Sequence, residues 1–201
     1  MSDPTPEAAQ NHTSQRFEEA ALELFFQRGY RSTTVRELAL ACGLTPGALY
    51  NHFPSKDQLL YSILRDVHEQ LEAMMTEALA DAGDDPRDRL RALVRAHAIF
   101  HTRFRKEARV ANDEVLALEE PGRTEIVDVR RRGRGRFEDA LRDGIAAGVF
   151  EVADVKIAAM AILNMGIRIA AWFRPDGPRS SEQVADLHAD LALRMVGAPP
   201  A

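Results

Sequence analysis

An all-α fold is predicted for this chain by three observations. Apolar residues recur at the spacing of a single helix face. N-cap residues and glycines punctuate the sequence at helix-length intervals, and no run alternates as a half-buried strand does. Together these give about nine helices with short connections and no internal repeat.

The elements follow in order. Residues 1–10, acidic and Pro-containing with no apolar signal segment, read as a disordered tail. Phe17, Ala21, Leu24 and Phe25 share one face of a helix that Gly29 ends. Thr34 and Glu37 are spaced as a capping box, each side chain positioned to bond the other residue's backbone N–H. Val35, Leu38 and Ala39 give that second helix its inner face, and Gly43 stops it. Thr45 caps a third helix, TPGALYNHF, with Pro46 at the first position, where a missing N–H costs nothing. Leu44 and Leu49 flank the cap as a hydrophobic staple. Ser55 with Gln58 forms another capping box, opening a long helix through Leu59, Leu60, Ile63, Val67, Leu71 and Met74 to about Ala82.

Asp85 and Pro86 start a helix through Leu90, Leu93, Val94, His97 and Phe100. A shorter one runs from Ala108 to Leu118. The next spans about Thr124 to Ala147, with Gly133 and Gly135 each weakening it by about 1 kcal/mol. Asp154 to Phe173 is apolar nearly all round and stops at Pro175-Asp176-Gly177-Pro178. Ser180 with Gln183 caps a last helix to about Val196, and residues 197–201 read as a tail.

Composition bounds the function. With 26 Lys+Arg against 31 Asp+Glu, a net charge of -5 and 45% apolar residues, the chain is neither collagen-like nor wholly disordered. The run Val152 to Phe173 is broken by Asp154, Lys156, Asn164 and Arg168, so no membrane span is expected. The single Cys42 leaves no intramolecular disulfide and points to a reducing, cytoplasmic setting. No nucleophile elbow, P-loop or GxGxxG is present, so no enzyme and no cofactor are expected. The acidic balance argues against nucleic acid. Even residues 1–60 carry five basic residues against seven acidic ones, a net charge of -2.

The local pattern argues the other way. Two short helices joined at Gly43-Leu44-Thr45 have helix-turn-helix dimensions over about residues 34–53. Leu49 and Phe53 anchor one side of the second helix. Gly47 and Ala48 are small enough to let its N-terminus approach a duplex. Thr45 and Asn51 suit base edges, and Tyr50 and His52 the backbone. Thr34 and Lys56 suit flanking phosphates, and Arg36 a guanine. On spacing alone, a packed hairpin with solvated polar residues is an equal alternative.

The segment FEEAALELFFQRGYRSTTVRELALACGLTPGALYNHFPSKDQLL resembles the N-terminal domain of the TetR family of transcriptional regulators. The resemblance rests on the Gly-Tyr after the first helix, the Thr-Thr opening the second, LYxHF and Pro-Ser-Lys. It implies a helix-turn-helix domain over residues 11–55 and a ligand-binding and dimerisation domain over 56–196. It also implies a homodimer on palindromic double-stranded operator DNA, usually repressing. By position, the family's DNA contacts fall on Thr34, Arg36, Thr45, Pro46, Gly47, Tyr50, Asn51, His52 and Lys56. Helix three reads Thr-Pro-Gly-Ala where many members have Ser-Lys-Gly-Thr, so the operator sequence is not implied.

With the resemblance in place, helices 154–173 and 181–196 are expected to form the intersubunit bundle. WFRPDGPRSSEQVADLHADLALRMVG is similar to the end of TetR regulators of fatty-acid and steroid breakdown, some of which respond to acyl-CoA; this implies an acyl-CoA or lipid-like effector. Its expected contacts are His97, Phe100, Phe104, Asn164, Arg168 and Trp172. Arg168 and Trp172 are one turn apart in an apolar helix, so a buried guanidinium there needs either a ligand anion or an intersubunit carboxylate. The run Arg130-Arg131-Arg132-Gly133-Arg134-Gly135-Arg136 reads as a solvated face, with CoA or DNA phosphates as the alternative. His97 and His101 sit at metal-ligand spacing, but HAIFH lacks a third ligand, and His97 reads better as a cavity wall; no metal is expected. A helical small-molecule binder without operator binding is the competing function.

Overall fold

A computed structural model describes residues 6–198, and among these every regular element is helical. First come α1 (Pro6–Arg28), α2 (Val35–Ala41), α3 (Pro46–Tyr50) and α4 (Lys56–Asp81). Next are α5 (Pro86–Arg103), α6 (Arg105–Asp113), a 3-10 turn at Val115–Ala117 and α7 (Gly122–Ala146). The described part ends with α8 (Val155–Ile167), α9 (Ile169–Trp172) and α10 (Ser181–Met195). The last break lies at Arg168 within one apolar rod, so the described segments make nine helices, as the periodicity predicts.

The caps explain the boundaries. The Thr34 hydroxyl accepts from the Glu37 N–H at 3.3 Å while the Glu37 carboxylate accepts the Thr34 N–H at 2.8 Å, and Ser180 with Gln183 repeats the pattern. Ser55 forms only half a box: its hydroxyl accepts from Gln58 N–H at 3.1 Å. Thr45 occupies the cap of α3, but its side chain makes no cap bond; Pro46 alone presets the turn. Gly29 and Gly43, at φ +84° and +65°, take the left-handed turns that end α1 and α2.

The chain ends differ from expectation. Residues 1–5 and 199–201 lie outside the described residues. Residues 6–10, expected to be tail, belong to α1, because Pro6 suits the first helical position and Glu7, Ala8, Ala9 and Gln10 favour helix. Gly197 and Ala198 also continue the fold: the Ala198 N–H donates to Leu193 O at 2.9 Å, and Ala198 is buried.

Two main cores result. Phe17, Phe25, Leu38, Leu49 and Phe53 pack with Leu59, Leu60 and Leu64 of α4 and with Phe100 and Val110, so one core crosses residue 55 without a break. Leu90, Leu93, Phe137, Leu141, Phe150, Ile162 and Leu193 form the other. α10 lies along α5, held by Arg91–Asp190 at 2.8 Å, Arg103–Glu182 at 2.6 Å and Arg95–Asp186.

Candidate nucleic-acid interface and ligand cavity

α2 and α3 bury one side and present the other. Leu38, Ala39 and Leu49 are sunk in the core, while Arg36, Thr45, Pro46, Gly47, Tyr50 and Asn51 are exposed. Tyr50 is 56% exposed, so its ring and hydroxyl are open to solvent. A Cβ on Gly47 would meet nothing within 4 Å, so the glycine is not required by internal packing.

Three expected DNA contacts also serve structural roles. The Thr34 hydroxyl donates to Glu37 at 2.8 Å as part of the cap. His52 is half-buried, its Nδ1 3.0 Å from the Ser14 hydroxyl, beside the ring of Phe17. The Lys56 ammonium donates to Tyr30 O at 3.0 Å and Thr33 O at 2.8 Å and lies 4.0 Å from the Tyr30 ring centroid. It ties the α1–α2 turn to the start of α4, and burial lowers its pKa.

Between α4, α5, α7 and α8 lies a cavity of about 310 Å³. Leu71, Met75, Val129, Met160, Leu163 and Ile167 supply its apolar wall, and His68, Glu72, His97, His101, Asn112, Arg130, Arg134 and Asn164 its polar one. Of the expected ligand contacts, His97 and Asn164 line this cavity. Phe100 is buried in the core instead, 5.3 Å from Phe104, which packs on the same cluster.

Arg168 and Trp172 do not reach the cavity, and Arg168 is not buried. It sits exposed at the break between α8 and α9, and Trp172, 52% exposed, stacks on His188 at 6.1 Å and 17°. Their i,i+4 spacing continues the stripe of Met160 and Asn164, but the lining of the cavity ends at Ile167, where α8 gives way to the break at Arg168. Conversely, the arginine run is only partly a solvated face. Arg131 pairs with Asp128 and Arg132 is exposed, as expected. Arg130 and Arg134 line the cavity, and Arg136 donates through both Nε and Nη2 to Glu72 at 3.0 and 2.7 Å. Gly133 was the available signal: a Cβ there would come 3.1 Å from Glu72 Oε1, so the helix approaches α4 closely at that point.

Arg130 organises the polar wall. Its Nε donates to His68 Nε2 at 3.1 Å, and its Nη2 to Ala111 O at 2.6 Å and Asn112 Oδ1 at 3.2 Å. His68 therefore carries its proton on Nδ1, which donates to Leu64 O at 2.6 Å. Burial, reinforced by the guanidinium, pushes the His68 pKa down to about 4. His101, bonded through Nδ1 to His97 O at 2.8 Å, is pushed by burial to about 4 as well, and His97 well below the usual value. His97 and His101 rings lie 4.3 Å apart, and among the described residues no group of three His, Cys, Asp or Glu is arranged to hold a metal.

The two sites are joined by α6 and the turn after it. Beyond the Ala111 and Asn112 bonds to Arg130, Glu114 accepts the Tyr30 N–H at 2.9 Å, Asp57 accepts the Glu119 N–H at 3.0 Å, and Lys106 pairs with Glu23.

Residues 83–196 match the model of the tetracyclin repressor-like C-terminal domain, and residues 19–63 that of bacterial regulatory proteins of the tetR family. The chain is 31% identical over 177 residues to the HTH-type transcriptional repressor KstR2 of Mycolicibacterium smegmatis, covering 86% of this chain and 85% of that one. A tetR-family regulatory protein from Rhodococcus RHA1 superposes with a TM-score of 0.87 at 34% identity, over 94% of this chain and 98% of that one. AibR, solved in complex with isovaleryl coenzyme A and operator DNA, superposes with a TM-score of 0.81 at 29% identity, over 89% and 97%.

Proposed function

Because this chain belongs to the TetR family of bacterial transcriptional regulators, we propose that it is a ligand-responsive repressor. It would hold a palindromic operator as a homodimer and release it when a small, mostly apolar effector fills the cavity. The observation that carries this reading is the exposed polar face of α2 and α3, with Tyr50 projecting from a helix whose other side is fully buried. Thr45, Pro46, Gly47, Tyr50, Asn51 and Arg36 meet the duplex directly. Thr34, His52 and Lys56 hold the angle at which they do so, and Lys56, with two of its three ammonium N–H groups donated to Tyr30 and Thr33, keeps one for a phosphate.

For the effector, a cavity of about 310 Å³ lies at the lower end of ligand sites and is too small for a complete CoA thioester. It suits a free small molecule or the acyl end of a thioester whose nucleotide stays outside. The isovaleryl coenzyme A held by AibR supports the second possibility. His97 and Asn164 contact the effector; Arg168 and Trp172 are outside the cavity and would meet only its external part.

A gel-shift with the DNA upstream of the chain's own coding sequence tests the reading. The Tyr50→Ala/Asn51→Ala variant removes two exposed side chains without touching the core and is expected to weaken specific binding by about 10-fold or more. Lys56→Ala is a poorer choice, because it also opens the α1–α2 turn. Wild-type protein that prefers its upstream DNA no more than a scrambled duplex, or a double variant that binds like wild type, would sink the proposal.

A further inference from the structure

We propose that the cavity is built to take a carboxylate on an otherwise apolar molecule, and that Arg130 is the residue that selects it. This rests on the cavity being the effector site. Arg130 lines the cavity, is half-buried, and has no carboxylate within ion-pair distance among the described residues. The nearby acids are already used: Glu72 takes Arg136 at 2.7 Å, and Glu138 takes Arg142 at 2.8 Å and Arg134 at 3.3 Å. A desolvated cation with only neutral partners is a costly arrangement unless an anion completes it.

The donor inventory says which atoms are left. Of the five guanidinium N–H groups, Nε–H and the two on Nη2 have neutral acceptors that fix the plane of the group: a lone pair on His68, a carbonyl and a side-chain amide. Nη1 donates to no described residue, so its two N–H groups remain for a ligand. One uncompensated positive charge matches one negative charge, which favours a carboxylate over a doubly charged phosphate. The surrounding Leu71, Val129, Met160, Leu163 and Ile167 require the rest of the molecule to be apolar. The carboxylate can belong to a free acid or stand at the far end of an acyl thioester.

Calorimetry on the full chain with matched probes tests the assignment: octanoate against octanamide, decanoate against decanamide, and the CoA half-thioester of suberic acid against octanoyl-CoA. At least one acid is expected to bind about 10-fold tighter than its neutral partner, the range of a charge-assisted hydrogen bond. Preference within the first two pairs assigns the free acid, and preference confined to the third assigns the thioester. Arg130→Gln is expected to abolish the preference and Arg130→Lys to retain part of it, both checked for an unchanged helical spectrum. Acids that bind no tighter than their neutral partners in every pair, absence of binding by all of them, or a preference that survives Arg130→Gln would overturn it. An alkyl phosphate binding above the matched acid would overturn the carboxylate assignment. Operator release is measured separately: an acid held through Arg130 that leaves DNA binding unchanged would overturn the effector reading and keep this site.

Discussion

At the level of single residues, the buried histidines give the chain a built-in sensitivity to acid. His68 and His101 stay neutral in the fold because burial holds both near pKa 4, against 6.5 for a free imidazole. As pH falls below 6.5 the unfolded chain takes up protons that the folded chain refuses until about 4. Stability is therefore complete above 6.5 and is lost between 6.5 and 4, by about 1.4 kcal/mol per pH unit for each histidine. His101→Asn, which faces His97, His68 and Arg130 without titrating, is expected to flatten the dependence by one histidine's share. Urea midpoints at pH 7 and 5.5 check this; equal slopes in variant and wild type would show that His101 does not titrate as described. The same scale shows why one site was legible in the sequence and the other was not. Exposure of Tyr50 and Asn51 follows from a five-residue helix with one buried anchor, Leu49, which local spacing reveals. Whether Arg130 or Arg168 faces the cavity depends on how α7 and α8 are rotated against α4 and α5. No spacing within one helix reports that rotation.

At the level of elements, helix starts were readable because caps are local chemistry. Thr34, Ser55, Asp85 and Ser180 all bond the first-turn amides that their positions imply, and of the expected caps Thr45 makes no such bond. The glycines of α7 and its end show what required the third dimension. Gly135 has open space where a Cβ would stand, whereas at Gly144 a Cβ would overlap the ring of buried Phe150, which turns back after Gly148. Sequence alone treats both as equal defects. Gly135→Ala is expected to stabilise by about 0.5–1 kcal/mol through helix propensity. Gly144→Ala is expected to destabilise by about 1–3 kcal/mol through overpacking. Chemical denaturation of the two variants decides it, and a stabilised Gly144→Ala would mean that Phe150 yields more easily than its burial suggests.

At the level of the whole molecule, six exposed large apolar side chains belong to the last helices. Ile157, Met160 and Trp172 from α8 and α9 lie open with Leu187, Leu191 and Met195 from α10, while Ala159, Ile162, Ala189 and Leu193 of the same helices are in the core. Val155–Trp172 is long and apolar enough to cross a membrane by length and composition, with a mean hydropathy of 1.4, and 28% of it is buried. Its inner face is spent on the protein core, and Lys156 and Arg168 lie within it. Its open face is continuous with that of an amphipathic neighbour, α10, which carries charges along its other edge. Two half-buried helices with adjoining apolar faces fit a second copy of this chain, as in an intersubunit bundle, better than lipid. Leu187→Glu/Leu191→Glu would place two carboxylates per subunit, four in all, in an otherwise apolar two-fold interface. Every 1.4 kcal/mol of that penalty would weaken the proposed dimer about 10-fold, so the wild type is expected to sediment as a dimer and the variant as a monomer. The acidic balance of the chain makes the same substitution decisive for DNA. Without a general positive field, one subunit's few contacts would bind weakly, and in the proposed homodimer operator affinity would depend on two recognition helices acting together. The monomeric variant should therefore lose operator binding although nothing in its DNA-contacting face has changed. Wild-type protein that sediments as a monomer at concentrations where it shifts its operator would refute this account.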